Sequence, residues 1–341
     1  MEDLENKKYW IWFSLIKGLG CVRKNNLLKI YGTPEEIYKL SKRERLKVDG
    51  IGEETVTNII EAKNEKILNY HIKYMEENNI DIIHICEKSY PQALKQIYDA
   101  PVSLYIRGNK EILNGKNIGI VGCRECTDYG KKAAKYFAYN LSKEKSVNIV
   151  SGLAKGVDSY AHWGSVGANI ECESTKNCGK KQESCGKINN NCGKIKNDCG
   201  KTIAILGNGL DMIYPKENIE LANEIIRSGG AIISEYPCGT KPDKMNFPAR
   251  NRIISGLSKG IIVIEAKEKS GTLITVDFAL EQGRDVFVVP GNINSINSIG
   301  TNELIKNGAI LTTGVNDIFI KLGLEKRVRE QKTNKIVKVD K

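Results

Sequence analysis

Two short turns carry residue types suited to holding an anion: Gly122-Cys123-Arg124, and Ser151-Gly152 with Lys155 three positions on. Each follows a β-branched run, 118–121 and 147–150, of the kind a parallel sheet buries on both faces. A glycine at the strand end lets the backbone turn sharply and approach a ligand closely. The helix that follows presents unpaired N–H groups and the positive end of its dipole. Two such turns side by side make an anion-binding ledge at the carboxyl edge of a sheet, with Arg124 and Lys155 on it. One such turn alone would only close a βα connection; several in register point to a chain of phosphates.

Later strand ends repeat the pattern. Gly207 and Gly209 follow the run 202–206, and Tyr214-Pro215-Lys216-Glu217-Asn218 comes next. The segment 246–252, Asn-Phe-Pro-Ala-Arg-Asn-Arg, leads into a helix over 253–257. Arg124, Lys155, Lys216, Arg250 and Arg252 are expected to converge at one edge. The small turn residues Gly122, Ser151, Gly152, Gly207 and Gly209 lie between them, with Asn218 and Asn251 alongside. A sugar-phosphate backbone needs this combination of amides and spaced cations.

Three acids interrupt the pattern: Asp158, Glu235 and Glu265. Two roles stand open for them. They pair with arginines and hold them in place, the role expected of Glu265, or they serve a ribose or proton transfer. Cys123-Arg124-Glu125-Cys126 is a C-x-x-C between a strand and a helix, a layout shared by thioredoxin-like redox motifs. His71, His84 and His162 are scattered. No Ser-His-Asp set, metal-ligand set, P-loop or G-x-G-x-x-G with a later acid is recognisable, so neither metal nor cofactor is expected.

Positioning these residues requires alternating strands and helices. Strand patterns fall at 118–121, 147–150, 202–206, 231–234, 261–265, 286–289 and 309–311; helical patterns lie at 129–141, 157–167, 218–227, 274–282 and 301–307. That alternation predicts an α/β fold with a doubly wound parallel sheet and right-handed crossovers. Residues 1–78 form a separate small helical module, and 79–320 the α/β core, opening on a bridge with short strands at 80–85 and 102–106. The module's Gly18-Leu19-Gly20 and Gly50-Ile51-Gly52 turns fit either helix-hairpin-helix DNA contacts or a plain bundle with glycine caps.

The chain has 341 residues and a net charge of +11. Residues 169–201 hold seven lysines and four acids, and 321–341 hold eight basic residues and three acids, so these two segments carry +8 of that total. The placed cations, rather than net charge, must therefore make the case for nucleic acid. Of ten cysteines, Cys178, Cys185, Cys192 and Cys199 recur every seven residues, each before Gly-Lys. The repeat reads as a flexible low-complexity expansion without disulfides, inserted at the amino edge of the sheet, remote from the ledge. Residues 321–341 read as a basic tail. No apolar run approaches the roughly twenty residues of a membrane span, and the start of the chain lacks a signal-peptide layout. A cytoplasmic protein without membrane contact is expected.

Taken together the motifs resemble the DprA/Smf DNA-processing family. The matching stretches include IVGCRECTDYG, VSGLAKGVDSYAHWG, TIAILGNGLDMIYPKEN, FPARNRIISGLS and GTNELIKNGAIL, in the family's order over roughly residues 80–315. The resemblance implies an extended Rossmann-like fold. It also implies a homodimer that binds single-stranded DNA entering the cell during natural transformation, protects it, and loads the RecA recombinase onto it. By that resemblance Arg124 and Lys216 line the DNA pocket, Arg250 and Arg252 lie near it, and Leu304, Ile305 and Ile310 belong to the dimer contact. The chain departs from the family's Gly-Ser-Arg by having Cys123, which removes a hydroxyl. A reading from another class is a nucleotide-processing or nucleotide-sensing Rossmann-like enzyme, echoed by Ser270-Gly271-Thr272 followed by Glu281.

Overall fold

The computed structural model describes residues 2–48, 50–180 and 199–324. Six helices come first: α1 (Glu2–Leu15), α2 (Cys21–Tyr31), α3 (Pro34–Lys39), α4 (Lys42–Leu46), α5 (Glu53–Glu61) and α6 (Glu65–Glu77). Local chemistry sets their ends. Thr33 caps α3 with Pro34 at its first position, and Ser41 and Glu44 form a capping box on α4. Gly32, at φ 81°, closes α2 with its N–H on the Leu28 carbonyl.

The core strands are β1 (Ile80–His84), β2 (Ser103–Gly108), β3 (Asn117–Val121), β4 (Asn148–Ser151) and β5 (Thr202–Leu206). They continue with β6 (Ala231–Ser234), β7 (Gly260–Val263), β8 (Asp285–Val288) and β9 (Ile310–Leu311). All nine join one sheet in the order β1-β2-β6-β5-β4-β3-β7-β8-β9. From β6 to β9 every pairing is parallel, whereas β1–β2 and β2–β6 are antiparallel. The fold is thus the expected doubly wound α/β type, with the bridge strands adding an antiparallel edge. The remaining helices are α7 (Gln92–Lys95), α8 (Asp128–Lys145), α9 (Val157–Lys180), α10 (Ile219–Arg227), α11 (Asn246–Leu257), α12 (Gly271–Glu281), α13 (Ile299–Lys306) and α14 (Val315–Lys321).

The winding reverses between β3 and β7. From β3 the chain proceeds through β4, β5 and β6 on one side, then returns to place β7 on the other. The crevice at such a switch point, outside the carboxyl ends of the strands, is where open α/β sheets hold ligands.

The helical module is not detached from this sheet. Trp10, Trp12 and Phe13 share one buried cluster with Ile82, Tyr105 and Ile232. Lys7 pairs with Asp81 at 2.6 Å across the same junction. Burying two tryptophans and a phenylalanine this fully contributes several kcal/mol, about 1.5–3 for each large apolar side chain.

Helix α9 overshoots its expected end at residue 167 by more than three turns. Gly167 meets open space and does not break it, while Val166, Ala168 and Asn169 are buried on its inner side. The Asn169 amide donates to Ser165 O at 2.9 Å and to Gly200 O at 2.8 Å. This length brings Cys172 beside the approach to β5, where it is joined to Cys199 in a disulfide. The expectation of no disulfide is therefore corrected for the last cysteine of the repeat. Gly200 also belongs to the core, since a Cβ there would collide with Val147 O. Most of the repeat and of the basic tail, with the low-complexity reading of the former, falls outside the described residues. Replacing residues 176–197 with a short Gly-Ser linker, which keeps Cys172, Cys199 and Gly200, is expected to leave thermal stability and DNA retention nearly unchanged, because a loop's closure entropy depends weakly on its length. A large fall in either would show that the repeat does more than connect.

Candidate nucleic-acid interface

The first turn, after β3, is set by packing. A Cβ on Gly122 would lie 2.6 Å from Val157, so glycine is what lets α9 begin directly against this turn. Arg124 stands exposed above it, its guanidinium 5.6 Å from the centre of the Phe247 ring. Among the described residues Glu265 does not pair with an arginine, contrary to expectation. Its carboxylate accepts from Thr127 N at 2.9 Å and Thr127 Oγ1 at 2.5 Å, and Thr127 in turn caps α8 by accepting from Gly130 N at 3.2 Å. Cys123 and Cys126 are both free thiols, and burial pushes both upward, away from the thiolate form a redox C-x-x-C requires.

The second turn, after β4, is held from below by Asp158. Its carboxylate accepts from Gly152 N at 3.1 Å and Ala154 N at 3.4 Å. Burial raises the Asp158 carboxyl, and Arg250 opposes that rise. Ser151 spends its hydroxyl inside the sheet, donating to Ile120 O at 2.7 Å. Asn218 also faces inward, its amide donating to Leu153 O at 2.8 Å. Both were expected to meet a ligand; both instead fix the turn's shape. Leu153, at φ 53°, holds a left-handed conformation that side chains rarely adopt, which these bonds sustain. Lys155 is exposed and pairs with Glu217 at 2.5 Å.

Beyond β5, Gly207 and Gly209 are buried. A Cβ on Gly207 would press the Phe247 ring at 2.9 Å, and one on Gly209 would meet Pro237 O at 2.6 Å. Lys216 follows the cis Tyr214–Pro215 bond and is exposed.

The two arginines of 246–252 part company because that segment is helical from its start, not a loop. At about 100° per residue, positions 250 and 252 face roughly opposite sides of α11. Arg250 lies under the ledge, donating to Gly152 O at 2.7 Å and to Ile205 O, with Nε on Asn251 Oδ1 at 3.2 Å. Burial brings it down to about 10, partly offset by Asp158, so it stays charged at neutral pH. Arg252 is not at the ledge. It is buried at the junction with the helical module, 2.8 Å from Asp99 and 2.7 Å from Glu235.

Above the edge lies a cleft of about 660 Å³, and next to it a niche of about 70 Å³. Arg124, Tyr214, Phe247 and Arg250 line both. The rings of Tyr214 and Phe247 are stacked, 5.7 Å apart at 25°, and Tyr214 is exposed. In the sequence Tyr214 stands in a turn and Phe247 in the lead-in to a helix, and neither is marked there as a ligand contact. Nor are Lys244, Lys267 and Lys269, which line the wide cleft. Glu281 sits at the end of α12 opposite Ser270, so the two parts of the enzyme-like echo are not brought together. Among the described residues no group of three or more His, Cys, Asp or Glu could hold a metal, and no helix is long and apolar enough to cross a membrane.

His162, on α9 behind the second turn, is buried with Nδ1 2.6 Å from Thr202 Oγ1 and Nε2 unbonded. Burial, with Arg250 contributing less, brings it down to about 3. The unfolded ring titrates near 6.5, so protonation favours unfolding. Its contribution is complete above about pH 6.5 and is lost as pH falls toward 3, at about 1.4 kcal/mol per pH unit. A His162→Gln variant is expected to lose less stability than the parent between pH 7 and pH 5 in urea titrations; parallel losses would refute this.

A family model described as "DNA recombination-mediator protein A" matches residues 81–184 and 189–323. The chain belongs to the DNA recombination-mediator protein A family. DNA processing protein DprA of Bacillus subtilis is 40% identical over 247 residues, 72% of either chain. Among solved structures, the X-ray structure of DprA from Streptococcus pneumoniae superposes with a TM-score of 0.73 at 33% identity, covering 92% of this chain and 97% of that one. DNA processing protein A from Helicobacter pylori, whose structure is titled for its single-stranded DNA binding mode, gives a TM-score of 0.56 at 28% identity over 71% of this chain and 95% of that one. The DprA fold is thus present over the whole α/β core.

Proposed function

We propose that the chain binds single-stranded DNA along the carboxyl edge of its sheet, and that this binding protects the strand and presents it to the RecA recombinase. Arg124, Lys155 and Lys216 meet phosphates, while bases stack at Tyr214 and Phe247. The observation that carries the reading is the Tyr214–Phe247 stack, with Tyr214 exposed and Arg124 over the Phe247 ring, beside a cation-lined cleft. Stacking platforms flanked by spaced cations suit unpaired bases, which a duplex keeps out of reach. The single-stranded DNA named for the Helicobacter pylori relative supports it. Gly122, Gly152, Gly207 and Gly209 shape the floor, with Ser151, Asn218 and Arg250 fixing it from beneath and Asn251 at its side.

A homodimer through the last strand is part of the same proposal. Leu304, Ile305 and Ile310 are half-buried around β9, an edge strand whose Leu311 is exposed. Fluorescence anisotropy with single- and double-stranded oligonucleotides over a salt series tests the DNA reading. Preference for single strands, with affinity falling as salt rises, is expected. Equal affinity for duplex, or a flat salt response, would refute it.

A further inference from the structure

The niche adjoins the wide cleft, and Arg124, Ala154, Tyr214, Phe247 and Arg250, which line both, stand between them as a divide. The niche opens toward Lys155 and Pro215. The wide cleft runs the other way, past the loop after β3, to the loop after β7 that carries Lys267, Lys269 and Ser270. It therefore lies over the reversal of winding between β3 and β7, the place where an open α/β sheet holds its ligand. None of the residues proposed above as phosphate contacts reaches its far end.

We infer that this far end, with Lys267 and Lys269, is a second phosphodiester subsite, so that a bound strand bends around the Arg124–Phe247 divide with phosphates held on both sides. The inference rests on the DNA reading above. Five cations line the wide cleft, Arg124, Lys244, Arg250, Lys267 and Lys269, against two acids, Glu125 and Asp158. Asp158 is occupied by the amides of Gly152 and Ala154, and Glu125 by Lys267 at 3.2 Å. The Glu125 side chain is 84% exposed, so that pair is weak and an incoming phosphate can replace the carboxylate. The start of α12 is not what would hold the anion, because the Ser270 side chain caps Thr272 N and the Ser270 carbonyl accepts from Leu273 N. The lysines carry the charge. The loop bearing them is fixed: Glu265 O accepts from Cys123 N at 2.9 Å, and the Asn297 amide ties the neighbouring loop at Glu125 O, 2.8 Å away.

The test is a length series of oligodeoxythymidylates against the parent and the Lys267→Ala/Lys269→Ala variant, at several salt concentrations. Both side chains are at the surface, and matched melting curves establish that the variant is folded. For the longest oligomers the variant is expected to bind about tenfold more weakly, with a salt slope reduced by about 1.4, the value for two lost single-strand contacts. For the shortest oligomers that bind at all, the two proteins are expected to be alike, since these reach only the Arg124, Lys155 and Lys216 side of the divide. A Lys116→Ala/Lys259→Ala control removes the same charge at the amino ends of β3 and β7 and is expected to bind as the parent does. Variant and parent indistinguishable at every length would overturn the inference while leaving the DNA reading intact. A control as weak as the variant would overturn it too, by assigning the loss to net charge. No binding by the parent at any length would overturn both.

Discussion

Replacing Arg124 and Lys216 together with alanine is expected to remove most single-stranded DNA retention at salt concentrations where the parent binds. Both side chains are exposed, and neither makes an ion pair among the described residues. Nothing in the fold needs them, so the melting temperature should stay put. Each charge-assisted contact is worth on the order of 1–3 kcal/mol, Arg124 as a two-pronged donor and Lys216 as a point charge. The two follow different strands, β3 and β5, and are expected to contribute nearly independently. Fewer released counterions should also flatten the salt dependence, by about 0.7 for each lost contact. Binding of the double variant that matches the parent at equal salt would show that the strand runs elsewhere.

The fold was legible because its signals are local and repeat. The β-branched runs end at glycine, a small polar residue or a placed charge and alternate with helical segments, and the sheet from β3 to β9 follows from that alternation. The glycines were legible as turn residues, although their necessity comes from distant partners such as Val157 under Gly122 and Phe247 beside Gly207. What stayed hidden depends on rotation and reach. Arg250 and Arg252 look equivalent two residues apart in a presumed loop; a helix starting at Asn246 sends one beneath the ledge and the other to the module junction. Asp158 and Glu265 were noticed, but their partners, backbone amides and Thr127, are set by the tertiary fold. Tyr214 and Phe247 are thirty-odd positions apart, and nothing in either segment announces that they stack. Antiparallel pairing of β1 and β2 with the sheet likewise depends on the module burying its aromatic face against them.

The same distinction sets the largest expected effect on stability. Arg252→Met should destabilise the fold by about 3–5 kcal/mol, the cost of breaking a buried ion pair from one side. The Arg252 guanidinium bonds Asp99 Oδ2 at 2.8 Å and Glu235 Oε1 and Oε2 at 3.1 and 2.7 Å, with Cys21 Sγ 3.3 Å away. It thereby joins α11 to the residue that follows β6, to the bridge before β2, and to the first residue of α2. Burial, aided by Glu235, pushes the Cys21 thiol up to about 11. Burial also brings Lys24, on the same helix, down to about 8. Without Arg252 the Glu235 carboxylate, its side chain only 9% exposed, loses its ion-pair partner. Removing both charges in Arg252→Met/Glu235→Leu should recover much of the loss, because well-packed apolar side chains often replace a buried pair at little cost. The readouts are urea unfolding followed by tryptophan fluorescence, which reports the module through Trp10 and Trp12, and DNA binding by the folded protein below the transition. The first should shift strongly in the single variant and less in the double. The second should match the parent in both, unlike the Arg124 and Lys216 variants. If Arg252→Met unfolds at the parent's urea concentration, Arg252 does not hold the junction; if its folded form loses DNA as Arg124→Ala does, Arg252 serves the DNA face.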